Sequence, residues 1–188
     1  MPEQKKAVVP RLRFPEFRNA GPWEVKRLET IVELAYGAAL PESHRNKGDV
    51  PVVGSNGIVG YHDKTLTKGP TIVIGRKGSA GEVTWVEEAC FPIDTTFFVQ
   101  FRRSLDSPRF LYFLLLTLNL PELARAEGVP GLNRNDVYSR RVGVPSATEQ
   151  QKIADCLSSL DELIELQAKK LEALKAHKKG LMQQLFPR

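Results

Sequence analysis

A run of apolar residues spaced alternately four and three apart dominates the C-terminal end of this 188-residue chain. Ile153, Leu157, Leu160, Ile164, Gln167, Leu171, Leu174, Lys178, Leu181 and Leu185 follow one another at that spacing, and only Gln167 and Lys178 are polar. A helix lying on a globular core carries a wider stripe that drifts at about 3.6 residues per turn, whereas a sustained heptad repeat is the seam of a coiled coil. The pattern predicts one long helix over 148–185. Thr148 and Gln151, three apart, read as its capping box, and Pro145 bars an earlier start. At about 1.5 Å per residue such a helix is roughly 55 Å long, more than a small domain needs to cover its own core. A partner helix is expected.

The charges of the segment say which way that partner runs. Between 149 and 168 there are five acids and one base, Lys152; between 169 and 188 there are six bases and one acid, Glu172. Matching to the helix dipole favours acids early and bases late, but that effect fades within the first and last turn. A parallel pair lays acid on acid, while an antiparallel pair lays each acidic half along a basic half. The expected arrangement is an antiparallel homodimer, with packing on another subunit or on the chain's own domain as the alternative. The chain thus divides into a domain over 1–147 and a spacer and dimerisation helix over 148–188.

The net charge is +5 and the isoelectric point is near 9.3. Outside the helix, twenty Lys and Arg stand against sixteen acids, so the excess sits mostly in the globular part and points to an anionic partner, nucleic acid first. Cys90 and Cys156 lie in unrelated segments and read as small apolar fillers in a reducing compartment. The residues after Met1 hold no apolar run of signal-peptide length. The run over 110–116 is far short of the roughly twenty residues that span a bilayer. A cytoplasmic protein without a membrane partner is expected.

Along the chain, the two prolines over 9–17 predict an extended arm. Apolar residues from Trp23 to Ala35 suit a strand followed by a short element, and 37–48 is a polar loop. Val52-Val53 and Ile58-Val59 flank Gly54-Ser-Asn-Gly57 as a hairpin. Thr71-Ile-Val-Ile-Gly75 reads as a buried strand, with further strands over 82–86, 95–101 and 142–144. Ser107-Pro108 signals a helix start, Pro121 a second short helix closed by Gly128, and 128–136 a rigid loop presenting polar side chains. The fold class is α+β: a mixed, β-rich domain followed by one long helix.

Gly75-Arg-Lys-Gly-Ser-Ala-Gly81 is the first stretch with functional chemistry. Successive amides in a glycine turn form an anion nest, and Arg76, Lys77 and Ser79 add charge and a donor suited to phosphate; a plain tight turn between strands is the structural alternative. No Gly-Lys-Ser/Thr follows at P-loop spacing. His44, His62 and His177 stand apart without metal-ligand spacing, and two cysteines do not make a zinc site. Pro15-Glu16 with Glu24-Val25-Lys26 imitates a metal-dependent nuclease signature only loosely. Glycine-rich methyl-donor loops and the Asn/Asp-Pro-Pro-aromatic tetrapeptide are missing from the sequence. A chain of this kind reads as a binder.

Several segments, in order, carry a family resemblance: Leu12-Arg-Phe-Pro-Glu-Phe17 with Trp23, Val53-Gly-Ser-Asn-Gly-Ile-Val-Gly-Tyr61, Ile74-Gly-Arg-Lys-Gly-Ser-Ala-Gly81, Leu132-Asn-Arg-Asn-Asp136, and Glu149-Gln-Gln-Lys-Ile-Ala154 with Leu160-Asp161. Together with the ending Lys179-Gly-Leu-Met-Gln-Gln-Leu-Phe-Pro187 they resemble the specificity subunit of type I restriction-modification systems. The resemblance implies a DNA target-recognition domain joined to a helix, with no catalysis and no cofactor of its own. It also implies a partner methyltransferase subunit that uses S-adenosylmethionine on adenine, and a restriction and translocase subunit recruited through the complex. Such subunits usually hold two recognition domains and two antiparallel helices. This chain has one of each, as a half-subunit that dimerises or as half of a longer protein.

By position in those segments, Arg76, Lys77, Ser79, Asn133 and Arg134 are assigned to the DNA backbone or to shaping the site. His44, Arg45, Ser55, Asn56 and His62, in more variable-looking loops, are the candidates for reading base edges, Asn to adenine and Arg to guanine. The competing function, from another class, is a coiled-coil scaffold or adaptor that does not touch DNA.

Overall fold

The computed structural model of the chain describes residues 7–101, 106–125 and 131–186. Among these residues ten strands and four helices follow in the order β1 (Ala7–Val8), β2 (Trp23–Arg27), β3 (Val32–Tyr36), β4 (Val50–Gly54), β5 (Gly57–His62), β6 (Thr71–Gly75), β7 (Val83–Val86), β8 (Phe91–Pro92), β9 (Thr96–Phe101), α1 (Pro108–Leu116), α2 (Leu120–Arg125), α3 (Arg134–Ser139), β10 (Arg141–Val144) and α4 (Ala147–Leu185). The α+β class expected from the sequence is the class observed, a β-rich domain ahead of one long helix.

β6 is buried along its whole length, inside an antiparallel sheet of order β3-β9-β6-β7. Alternate side chains of a strand face opposite ways. On one face Val73 and Phe98 pack with Val53, Val86 and Cys90, which joins this sheet to the one of order β5-β4-β8. The alternate residues Ile72, Ile74, Phe97 and Val99 are buried too, as are Leu28, Ile31, Leu111 and Leu115. Each such side chain stabilises the fold by about 1.5–3 kcal/mol. Burial pushes the Cys90 thiol up against the opposing hydrogen bond from Thr67, so Cys90 is the apolar filler expected. Cys156 differs from that expectation: it is exposed on α4.

Within β4–β5 the register slips between Val52 and Val53, leaving Val59 as an extra, bulged residue. A third sheet has the order β1-β2-β10. β1 and β8 are not predictable from the sequence because two residues cannot display alternation, and the short element expected after the first strand is the five-residue β3. In the arm, Pro15–Phe17 is a single 3-10 turn.

Helix starts follow side-chain capping. The Ser107 Oγ accepts from the Phe110 amide at 3.3 Å ahead of Pro108, as the Ser-Pro pair predicts. Of the loop expected over 128–136, residues 128–130 lie outside the described set; its far end is instead helical, since Asn133 caps α3 and Arg134, Asn135 and Asp136 form the first turn. α4 likewise begins before Thr148. The Ser146 Oγ accepts from the Glu149 amide at 3.4 Å, and the Glu149 carboxylate is engaged elsewhere.

The chain divides into two compact units, Met1–Gln151 and Lys152–Arg188. The first unit holds the opening turn of α4 through a near-buried fork. Arg13 Nε and Nη2 donate to Glu149 Oε1 and Oε2, each at 2.7 Å, while Nη1 and Nη2 reach the carbonyls of Ala20 and Gly21. The bond to Glu149 raises the Arg13 pKa, with burial acting against it. Gln150, fully buried, donates to the Pro145 carbonyl at 3.0 Å and accepts from the Asp106 amide at 3.3 Å. These bonds give the Glu149-Gln-Gln segment a structural reason.

Gly81 ends the turn after β6 at φ +91°, and a Cβ there would strike the backbone of Leu120 and Pro121. Gly81→Ala is therefore expected to destabilise the domain by about 2 kcal/mol or more, read as a lower urea midpoint. An unchanged midpoint would show that the turn is not pinned against α2.

Candidate nucleic-acid interface

One carbonyl oxygen gathers the segments that the sequence singles out. Thr95, just ahead of β9, accepts from Ser55 Oγ at 2.7 Å, from the Arg76 amide at 2.8 Å and from the Lys77 amide at 3.1 Å. Ser55 stands in the tip of the β4–β5 hairpin, and residues 76–77 open the glycine turn. The Arg76 carbonyl in turn accepts from the Leu132 amide at 2.8 Å, which ties the approach to α3 to the same place. Arg76 Nη2 donates to the Asp94 carbonyl at 2.6 Å. Ser55, Arg76, Lys77 and the 132–134 segment are thereby brought together from distant parts of the chain.

Part of the glycine turn's backbone is taken up by the fold. The amides of Arg76 and Lys77 point at Thr95, that of Ala80 at the Gly78 carbonyl, and that of Gly81 at the Gly75 carbonyl. Those four amides are not open to a phosphate, which leaves the successive amides of Gly78 and Ser79, and the side chains, to meet an anion. Lys77 is exposed; Ser79 and Arg76 are half-buried.

Arg76 and Arg134 converge on Tyr36, an aromatic residue that no motif marks. The Arg76 Cζ lies 5.3 Å from the ring centroid of Tyr36, and the Arg134 Cζ lies 5.2 Å from the same centroid. Arg76 is also 6.0 Å from Phe97, and Arg134 5.7 Å from Tyr138. Tyr36 packs on Phe97, its cross-strand partner in β9, with centroids 5.1 Å apart, and remains 53% exposed. The Tyr138 hydroxyl accepts from the Leu34 amide at 2.9 Å, fixing α3 against β3. The available signal was a tyrosine closing an alternating strand at its exposed position, next to Gly37 and a polar loop. Asn133 is exposed, with its side-chain oxygen spent on capping α3.

The base-reading candidates separate into two kinds. His44 and Asn56 are exposed on the loop and at the hairpin tip. Arg45, half-buried, donates from Nη1 to the Val59 carbonyl at 2.9 Å and so braces the bulge of β5. Ser55 is spent on Thr95. His62 is a correction: it is buried, its Nδ1 accepts from the Asn46 amide at 3.0 Å, and its ring meets Phe91 edge-on. A histidine enclosed in this way holds the 44–49 loop to β5 and presents no edge to a ligand. Among the described residues no cluster of three or more His, Cys, Asp or Glu is placed to hold a metal ion. No described helix is long and apolar enough to cross a membrane.

Comparison with known proteins agrees with the resemblance carried by the motifs. The family model for the type I restriction modification DNA specificity domain matches residues 21–176. The specificity subunit of the type I restriction enzyme MjaVIII from Methanocaldococcus jannaschii is 24% identical, over 93% of this chain and 43% of that protein. The S subunit of a type I restriction-modification system from M. genitalium superposes with a TM-score of 0.72 at 23% identity, covering 87% of this chain and 46% of that one. The HsdS subunit from Thermoanaerobacter tengcongensis does so with a TM-score of 0.59 at 18% identity, covering 84% and 41%. The chain spans less than half the length of each of these relatives. The solved structures share its fold, and the family match runs through most of its residues, so the chain belongs to the type I restriction-modification DNA specificity domain family.

Proposed function

We propose that the chain is a DNA-binding specificity subunit of a type I restriction-modification system. In this reading it directs a partner methyltransferase, which supplies S-adenosylmethionine and the adenine chemistry, to a bipartite site, and a restriction subunit joins through the complex. The chain itself performs no catalysis. The observation that carries the reading is the meeting of Arg76 and Arg134 on Tyr36, beside Lys77 and the Ser55-Asn56 hairpin tip. Among the described residues neither guanidinium has a carboxylate within ion-pair distance. Unneutralised cations clustered on a basic domain are the footprint of a polyanion.

If Arg76, Lys77 and Arg134 meet phosphates, each change to alanine weakens binding to all duplexes alike and flattens the salt slope by about one ion. Asn56→Ala instead relaxes one base position at roughly 1–3 kcal/mol. Fluorescence anisotropy over a salt series reads both, and four variants with wild-type isotherms would remove this site assignment.

The helix supports self-pairing. Leu160, Ile164, Leu171, Leu174, Leu181 and Leu185 are exposed on α4, and Ile153 and Leu157 are half-buried. Leu163 and Leu166, outside the expected seam, are exposed as well, so the apolar surface is wider than the heptad pattern at that point. In an antiparallel pair Ile153 faces Leu181, Leu160 faces Leu174, Asp155 lies opposite Lys179 and Glu165 opposite Lys169, with Gln167 on the twofold axis, where an amide both donates and accepts. Within one chain Lys169 already lies 3.6 Å from Glu165, an exposed pair of little worth and free to exchange partners. Twofold pairing makes the DNA half-sites inverted copies. Replacing Leu160 and Leu174 together by lysine is expected to give monomers in sedimentation velocity at micromolar concentration, with bivalent binding lost. A wild-type chain that is itself monomeric there would assign the helix to a different partner.

A further inference from the structure

We propose that Tyr36 is a positioning residue for DNA-backbone binding, holding the Arg76 and Arg134 guanidinium groups on its ring so that they meet phosphate together. This rests on the DNA-binding reading above and adds to it a residue that no motif marks. Arg76 comes from the turn after β6 and Arg134 from the first turn of α3, and nothing in their chain positions forces them to one place. Each nevertheless lies within 5.3 Å of one ring centroid. Like charges gathered at one ring repel, and among the described residues no carboxylate is paired with either. The negative face of the tyrosine ring is the group that offsets this repulsion while DNA is absent.

The remaining contacts leave both arginines incomplete in the way an anion site requires. Arg76 commits Nη2 to the Asp94 carbonyl, and Arg134 points Nη1 at the Leu34 carbonyl at 3.5 Å. The Nε atoms of both are buried without a hydrogen-bond partner. Each side chain is held at one corner and on one face; the buried Nε atoms are closed to solvent, so the uncommitted terminal nitrogens are what remains to meet an anion. A phosphodiester offers acceptor oxygens and negative charge to both at once. Fixing the two side chains beforehand removes the ordering penalty that free arginines meet on binding. Tyr36 is itself fixed by Phe97 beneath it and is half exposed, so its replacement need not open the core.

The test uses the full chain and a labelled mixed-sequence duplex of about 30 base pairs, titrated across a salt series, with thermal melts confirming that each variant is folded. Tyr36→Leu is expected to weaken binding about 10-fold and to bring the salt slope close to that of the Arg76→Ala, Arg134→Ala double variant. Tyr36→Phe, which keeps the ring, is expected to stay within about twofold of the wild type. Adding Tyr36→Leu to the double arginine variant is expected to change nothing further. Arginine variants that leave the slope intact would overturn the DNA-binding reading itself. Arginine variants that flatten the slope while Tyr36→Leu binds normally, or a Tyr36→Phe as weak as Tyr36→Leu, would overturn the positioning role alone.

Discussion

The carbonyl of Thr95 is the point on which the site depends. Three donors, the Ser55 hydroxyl and the amides of Arg76 and Lys77, share an oxygen with two lone pairs, and the Lys77 bond is the longest of the three. Through this one acceptor the hairpin tip, the glycine turn and the start of β9 keep a fixed relation. The Leu132 amide on the Arg76 carbonyl extends the arrangement to α3. Side chains borne on loops acquire the precision of the sheet beneath them.

The same bonds explain why part of the site was legible in the sequence and part was not. β6 and the β4–β5 hairpin announce themselves by composition, and Ser107-Pro108 by capping chemistry. Gly75 to Gly81 is recognisable as a special turn, but composition does not show that the amides of Arg76, Lys77, Ala80 and Gly81 serve the fold. Which distant side chains meet is invisible to local pattern. Nothing near Arg76 in the sequence says that it shares a ring with Arg134 or that Tyr36 carries that ring. His62 failed as a base reader for the converse reason, since a polar residue in a glycine-rich hairpin looks exposed until the 44–49 loop is seen closing over it.

Two of the expected boundaries moved through competition for the same groups. Glu149 sits where a capping box would use it, but its carboxylate is taken by the Arg13 fork, and its amide donates to the Ser146 hydroxyl. Asn133 had been assigned to a presenting loop and instead starts a helix, which puts Arg134 on a rigid first turn. Along α4 the heptad seam was plain in the sequence. The additional exposure of Leu163 and Leu166 was not, because a 4-3 template ignores the positions flanking it.

Hydroxyl-radical footprinting of the full chain with and without duplex DNA tests the placement of this interface most directly. Tyr36, 53% exposed, and Leu116, 48% exposed on α1, are both open to oxidation in the free chain. DNA bound at the Arg76–Arg134 cluster protects Tyr36 and leaves Leu116 as reactive as before. A Tyr36 that oxidises equally with and without saturating DNA, or protection centred on Leu116, would contradict the interface described for this domain.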